Sequence, residues 1–314
     1  MSDEIAQTQP TVDPYKYLQI VTNPDGSITR NENMFPKTPA ANPDPPHQNI
    51  PVLSKDVFIN QSNNVWVRLY ITSQPLDNKL PLIVYYHGGG FILCGADTNI
   101  FHDFCSNMAV QLQAVVVSVE YPLAPEHRLP AAYDDAMEVF HWIKTNQEVW
   151  LQRHVDFSDC FLMGTSAGGN IAYHVGLRAA AEVDHLMPLK IEGLILHHSF
   201  FGGVKRTGSE LRLANDPILP ICVTDVMWEL SLPLGADRDH EYCNPTVDNG
   251  SKLLEQIRSL GWKVMVIGCD GNPLIDLVGH FVAGGFHGAE VKDPSKARAM
   301  FDLLKNFVSS YKIN

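Results

Sequence analysis

The chain has 314 residues, 45% of them hydrophobic, a formal charge of −12, 21 prolines and 22 glycines. That length suffices for one large core or two smaller ones. The acidic balance, with no Lys/Arg block, argues against nucleic acids and anionic membrane surfaces as partners. No apolar run approaches a membrane span, residues 1–13 hold no signal-peptide core, and six cysteines are scattered without a Cys-x-x-Cys pair; a cytoplasmic protein with reduced thiols is expected.

Residues 1–50 are rich in Pro, Asn and Asp. They hold one short apolar patch, Tyr15–Val21, a turn signal at Asn23-Pro24-Asp25-Gly26, and six prolines from Pro36 to Pro51. The prolines exclude regular structure, so this segment reads as a tail or as a cap, with residues 51–314 as the main domain. Lys55–Asn60 and Asn64–Thr72 alternate as antiparallel strands do. Strand and helix patterns then take turns: strand Leu80–Tyr86, helix Asn99–Leu112, strand Ala114–Glu120, helix Ala131–Thr145, strand Cys160–Met163, helix Asn170–Glu182, strand Ile191–His197. This alternation predicts an α/β fold, a mostly parallel sheet with helices on both faces. Residues 200–245 break the rhythm with Gly202-Gly203, several prolines and a helix at Val223–Leu230, as a lid or pocket wall would. Trp262–Gly268 and Val278–Ala283 read as the last strands and Pro294–Tyr311 as a closing amphipathic helix.

Two motifs carry chemistry. Gly164-Thr165-Ser166-Ala167-Gly168 follows an apolar run and precedes a helix, the strand–turn–helix setting that lifts a serine hydroxyl clear of a sheet. His87-Gly88-Gly89-Gly90-Phe91 follows the Leu80–Tyr86 strand. Its bare backbone lets the Gly88 and Gly89 amides face a developing oxyanion, with the Ala167 amide as a third donor. A glycine triplet also suits a phosphate loop, but no Gly-Lys-Ser/Thr and no Gly-x-Gly-x-x-Gly accompanies it. Gly89→Val is expected to slow the reaction with little effect on folding.

The order Ser, acid, His places the base late in the chain. His287, in the loop Gly284-Gly285-Phe286-His287-Gly288, suits the role better than His280, which sits inside a strand pattern. The loop after Trp262–Gly268 offers Asp270 and Asp276 as the carboxylate that orients it, with Asp270 preferred; both could equally cap a turn. His197 and His198 are strand neighbours, expected to point to opposite faces and so not to share a metal. Asp237 to Glu241 reads as a salt-bridged turn, and Glu126-His127-Arg128 as polar support for a loop.

These pieces resemble the plant class-I carboxylesterases, the hormone-sensitive-lipase-like group of α/β-hydrolases. The likeness rests on His87-Gly88-Gly89-Gly90-Phe91, Tyr121-Pro122-Leu123-Ala124-Pro125-Glu126-His127-Arg128, Asp156-Phe157-Ser158, Gly164–Asn170, Gly235–Pro245 and Gly285-Phe286-His287, and runs from about Tyr15 to the end. It implies an α/β-hydrolase fold and hydrolysis of small carboxylic esters through an acyl-serine, with no metal or organic cofactor. It further implies a cap made by the N-terminal segment and the 200–245 insert.

Three departures stand out. The family has Arg where this chain has Pro122. Its acid position is Asn272 here. The full helix that the family places between acid and histidine is missing. Gly268 and Val278 are separated by nine residues, Pro273 among them, whereas a parallel crossover takes about a dozen or more. The last strand is therefore expected to pair differently, or the site to be poorly assembled and its activity impaired. Two other readings use the same pocket. One is a non-catalytic binder of a small hormone-like molecule, as in the gibberellin receptors that resemble this family; retention of His287 speaks against it. The other is a lyase or cyclase.

Overall fold

The computed structural model describes residues 12–41, 50–60, 64–73, 78–145, 148–247, 250–274 and 280–310; the side chains of 250–253 and 280–284 are not described. The chain opens with α1 (Pro14–Leu18). Proline sits in its first turn, where no backbone N–H is needed, and the Asp13 carboxylate accepts from the Tyr15 and Lys16 amides. Strands β1 (Ile20–Thr22) and β2 (Ile28–Arg30) form an antiparallel hairpin around the Asn23–Gly26 turn.

The main sheet is built from β3 (Val52–Asn60), β4 (Val65–Thr72), β5 (Leu80–Tyr86), β6 (Val115–Glu120), β7 (Val155–Thr165), β8 (Ile191–His197), β9 (Lys263–Gly271) and β10 (His280–Phe286). Its order is β10-β9-β8-β7-β5-β6-β4-β3. β3 and β4, and β4 and β6, pair antiparallel; the other neighbours are parallel. Every residue of β5 is buried, as a central parallel strand covered on both faces requires.

The helices follow in chain order: α2 (Asn99–Gln111), α3 (Ala131–Thr145), α4 (Val149–His154), α5 (Ala167–Ala181), α6 (Gly208–Arg212), α7 (Ile221–Ser231), α8 (Gly250–Ser259), α9 (Ala289–Lys292) and α10 (Pro294–Ser309). α3, α5 and α8 gather on one face and α2 and α10 on the other. Two apolar cores result. Leu82, Val84, Leu162, Ile171 and Leu194 belong to the first, and Ile83, Tyr85, Phe161, Ile195 and Leu304 to the second. Consecutive residues of one strand thus feed opposite cores, as the pleat dictates.

The last strand does not pair differently. β10 lies parallel to β9, His280 opposite Ile267 and Val282 opposite Cys269. The crossover rule assumes a return along a whole strand. Here the chain goes back only from the level of Gly271 to that of Ile267, about 13 Å at ~3.3 Å per residue. The eight intervening positions can span about twice that distance when extended. The strand occupies the sheet edge, so nothing blocks its entry. Asp276 and residues 278–279 lie outside the described residues.

The 200–245 insert contains α6 and α7 and is tied internally by ions. Arg206 reaches both carboxylate oxygens of Asp225 at 2.7 Å, and Arg238 bonds Glu210 at 2.8 Å. The expected salt-bridged turn at 237–241 is thus a strut of this insert. α1 packs on α7, and the Tyr17 hydroxyl donates to the carbonyls of Pro217 and Ile218 at 2.8 and 3.0 Å.

Candidate active site

Ser166 stands between β7 and α5 with φ 57° and ψ −118°. Such a backbone costs about 1–3 kcal/mol in a residue with a side chain and persists only when its surroundings hold it. Here the Ser166 amide donates to the His197 carbonyl. The Ser166 carbonyl accepts from the amides of Gly169, Asn170 and Phe200. Both flanking glycines are sterically required. A Cβ at Gly164 would overlap the Gly168 carbonyl, and one at Gly168 would overlap the Tyr86 carbonyl. The serine is 8% exposed, and its hydroxyl makes no hydrogen bond among the described residues.

The glycine loop lies against it. A Cβ at Gly88 would stand 3.3 Å from Ser166 Cβ and 3.1 Å from the Thr165 carbonyl. The amides of Gly88, Gly89 and Ala167 donate to no other group of the described chain, and Ala167 opens the fifteen-residue helix α5. Uncommitted amides at a helix start are an anion site in waiting.

The loop is braced from several sides. The Tyr121 hydroxyl donates to the His87 carbonyl at 2.9 Å and its ring stacks on the imidazole at 4.1 Å. Burial pushes His87 down to about 4, so this ring is neutral at neutral pH. Arg30 Nε donates to the Ile92 carbonyl and its Nη2 to the Ala124 carbonyl, both at 2.7 Å, and it pairs with Glu126 at 2.6 Å. Arg128 donates to the Glu229 and Leu232 carbonyls. The expected polar support at 126–128 is thereby met.

The expectation for Gly89→Val needs correction. Gly89 has φ +116°, and a Cβ there would overlap the Leu93 carbonyl, so a β-branched residue disturbs the loop itself. Gly88 is the cleaner probe, because it takes no left-handed backbone. Gly88→Ala should lower kcat by about a hundredfold with a small shift in Tm, whereas Gly89→Val should lower both. A fully active Gly88→Ala variant would place the oxyanion donors elsewhere.

The acid–base arm is less complete. His287 follows β10, its ring 5.3 Å from that of His198. It is not bonded to Ser166, and its Nδ1 is buried without a partner. Burial, with the His197 ring nearby, pushes this imidazole down to about 3. Asp270, expected to orient it, does not meet it: the carboxylate is exposed and accepts from the Gly285 amide at 3.2 Å. Alternation along β9 explains the miss, since it turns Asp270 outward. Asn272 is fully buried; its Oδ1 accepts from the Leu274 amide at 3.0 Å, and its Nδ2 has no partner. The Ser209 hydroxyl donates to the Pro273 carbonyl, fastening this loop to the insert.

The fold agrees with what is known of other proteins. The α/β-hydrolase fold family matches residues 83–284. Carboxylesterase 20 of Arabidopsis thaliana is 55% identical over 98% of this chain and 99% of its own length. A 3-O-acetylpapaveroxine carboxylesterase of Papaver somniferum is 43% identical, covering 94% and 97%. Among solved structures, an esterase from Pyrobaculum calidifontis superposes with a TM-score of 0.69 at 24% identity, over 83% of this chain and 86% of that one, which speaks to fold alone. The chain belongs to the plant carboxylesterase family. Its activity class is therefore carboxylic ester hydrolysis, as the motifs implied.

Around Ser166 the structure gives the motif residues Asn170 and Phe91 their partners and adds Met227, Phe200 and Trp228 to them. Asn170 anchors α5: its Oδ1 accepts from the Tyr133 hydroxyl, and its Nδ2 donates to the Phe200 and Tyr242 carbonyls. The Met227 sulfur fills the space beside Gly90, and Phe91, Phe200 and Trp228 pack together behind it. The expectation for His197 and His198 also fails. β8 ends at His197, His198 takes φ +49°, and the break in alternation brings the two rings to 4.2 Å between centroids.

Proposed function

We propose that Ser166 attacks the carbonyl carbon of a small carboxylic ester while His287 takes the hydroxyl proton and returns it to the leaving alcohol. The carbonyl oxygen, now negative, is met by the amides of Gly88, Gly89 and Ala167. Water then attacks the acyl-serine with His287 as base again, releasing the acid and the free hydroxyl. No step of this scheme calls on a metal or organic cofactor. The observation that carries the reading is the strained Ser166 backbone held beside three uncommitted amides. The low exposure of Ser166 and the bulk of Met227, Phe91 and Trp228 around the loop favour a small ester.

In this reading the enzyme turns over slowly. A base whose proton affinity burial has reduced, with no carboxylate on its Nδ1, is a weak one. We further propose that residues 12–41 and the 200–245 insert act as the cap over a single catalytic domain, on the strength of the α1–α7 contact and the Arg30 brace. No described helix is long and apolar enough to cross a membrane. All six cysteines are free thiols, which suits the cytosol.

A fluorophosphonate probe tests the scheme. It should label Ser166 covalently, and more slowly than it labels an intact relative run in parallel. A folded protein that stays unlabelled would instead be a binder that keeps the pocket.

A further inference from the structure

Beneath the nucleophile, on the α2–α10 face of the sheet, three metal-ligating side chains meet. His197 comes from the end of β8, His198 from the residue after it, and Glu290 from α9. One ligand atom from each lies within 4.8 Å of the other two. The histidines are 2% and 1% exposed, and the Glu290 side chain 7%. The catalytic scheme uses none of these side chains.

The spacing is informative. His197 Nε2 and Glu290 Oε2 are 3.8 Å apart, too far for a hydrogen bond. Two ligands on one tetrahedral zinc, with bonds of about 2.0–2.1 Å, stand roughly 3.3–3.4 Å apart. A shift of a few tenths of an ångström would seat both on one ion. The other nitrogen of His197 is engaged: Nδ1 is 3.1 Å from Thr165 Oγ1, which in turn accepts from the Tyr85 hydroxyl at 3.0 Å. A ring held by its Nδ1 presents the Nε2 lone pair, the usual way a ligating histidine is oriented.

His198 is held only by long contacts, Nδ1 to the Gly288 amide and Nε2 to Cys269 Sγ, each 3.3 Å. Either nitrogen can turn to an ion at small loss.

Three protein donors leave the fourth position of a tetrahedral zinc open to solvent. Two imidazoles and one carboxylate suit zinc, whereas calcium and magnesium take oxygen ligands. Access is available through a cavity of about 390 Å³ between α2 and α10, lined by Asp103, Phe104, Glu290 and Met300.

We propose that His197, His198 and Glu290 form a zinc site that pins α9 to the end of β8. Its role is structural. It ties the end of β8 to the short helix that follows β10.

The test uses the full-length protein stripped with a chelator and titrated with Zn²⁺. One equivalent should bind and Tm should rise, reversed by chelator, as for any ligand that binds the native state alone. Co²⁺ in the same protein should give the intense visible absorption of a tetrahedral site, a reading that needs no variant. Glu290→Gln, checked for native circular dichroism, should weaken zinc binding at least tenfold. His185→Ala, at an exposed histidine, should leave it unchanged. The proposal is overturned if stoichiometric binding is absent, if Co²⁺ shows only octahedral absorption, or if Glu290→Gln retains full affinity. None of these results depends on esterase activity.

Discussion

Ser166→Ala should reduce hydrolysis of short p-nitrophenyl esters to the blank rate. Of the two hydroxyls in the elbow, that of Thr165 is engaged with Tyr85 and His197, which leaves the Ser166 hydroxyl to form the acyl intermediate. The remaining donors, without a nucleophile, stabilise an oxyanion that nothing creates. The structure makes this a clean substitution. The serine makes no side-chain hydrogen bond among the described residues, so removing its oxygen orphans no partner. Its strained backbone is fixed by four main-chain bonds that alanine keeps, and Tm should therefore be nearly unchanged. Retention of most of the activity in a folded Ser166→Ala protein would move the nucleophile elsewhere.

The second large effect concerns the acid arm. Two buried polar atoms there lack partners, Asn272 Nδ2 and His287 Nδ1. They cannot serve the reaction by bonding to each other. An amide nitrogen only donates, so it would fix His287 with its proton on Nε2, and that tautomer cannot accept the serine proton. An Asp-to-Asn change in a serine-protease triad costs about ten-thousandfold in kcat for this reason. Asn272→Asp turns the orphan donor into an acceptor for an Nδ1–H and balances the imidazolium that forms. It should raise kcat/KM for a simple ester by about tenfold or more, while staying below an intact relative, because His287 still rests against His198 instead of Ser166. Asp270→Asn should change kcat/KM by less than about threefold, since that carboxylate bonds Gly285 and faces outward. Asp276→Asn probes the one alternative carboxylate; a tenfold fall there would name Asp276 as the working acid. Wild-type activity equal to that of an intact relative, with no response to any of the three changes, would contradict this account.

The legible parts of this fold are those that sterics enforce locally. Leu80–Tyr86, Ala131–Thr145 and Ile191–His197 match their expected bounds residue for residue, because each is an unbroken pattern ended by glycine, proline or a polar break. The sequence pattern marks four residues of β7, Cys160–Met163, where the strand has eleven, since Asp156, Phe157, Ser158 and Asp159 carry no apolar alternation. α4 is six residues long, too short for a helical period to register. α8 went unread for a different reason: it follows the irregular insert directly.

The site divides along the same line. The elbow and glycine loop could be read because no other residue fits at Gly164, Gly168 or Gly89. The zinc cluster could not, because it joins β8 to α9 and depends on one positive φ at His198 that no pattern announces. The crossover argument failed for want of the register: a rule about strand pairs in general says nothing of how far one chain must travel back.

Arg30 has a bearing on how such enzymes diversify. One guanidinium joins the N-terminal hairpin to the carbonyl of Ile92, just past the glycine loop, and to Ala124 and Glu126 on another loop. Three segments distant in sequence thus share one fastening. An N-terminal arm grafted from a relative brings its own geometry to the glycine loop unless its arginine and the recipient's acidic partner arrive as a matched pair. A change in the N-terminal arm then reaches the chain just after Gly88–Gly90 through the contacts of Arg30.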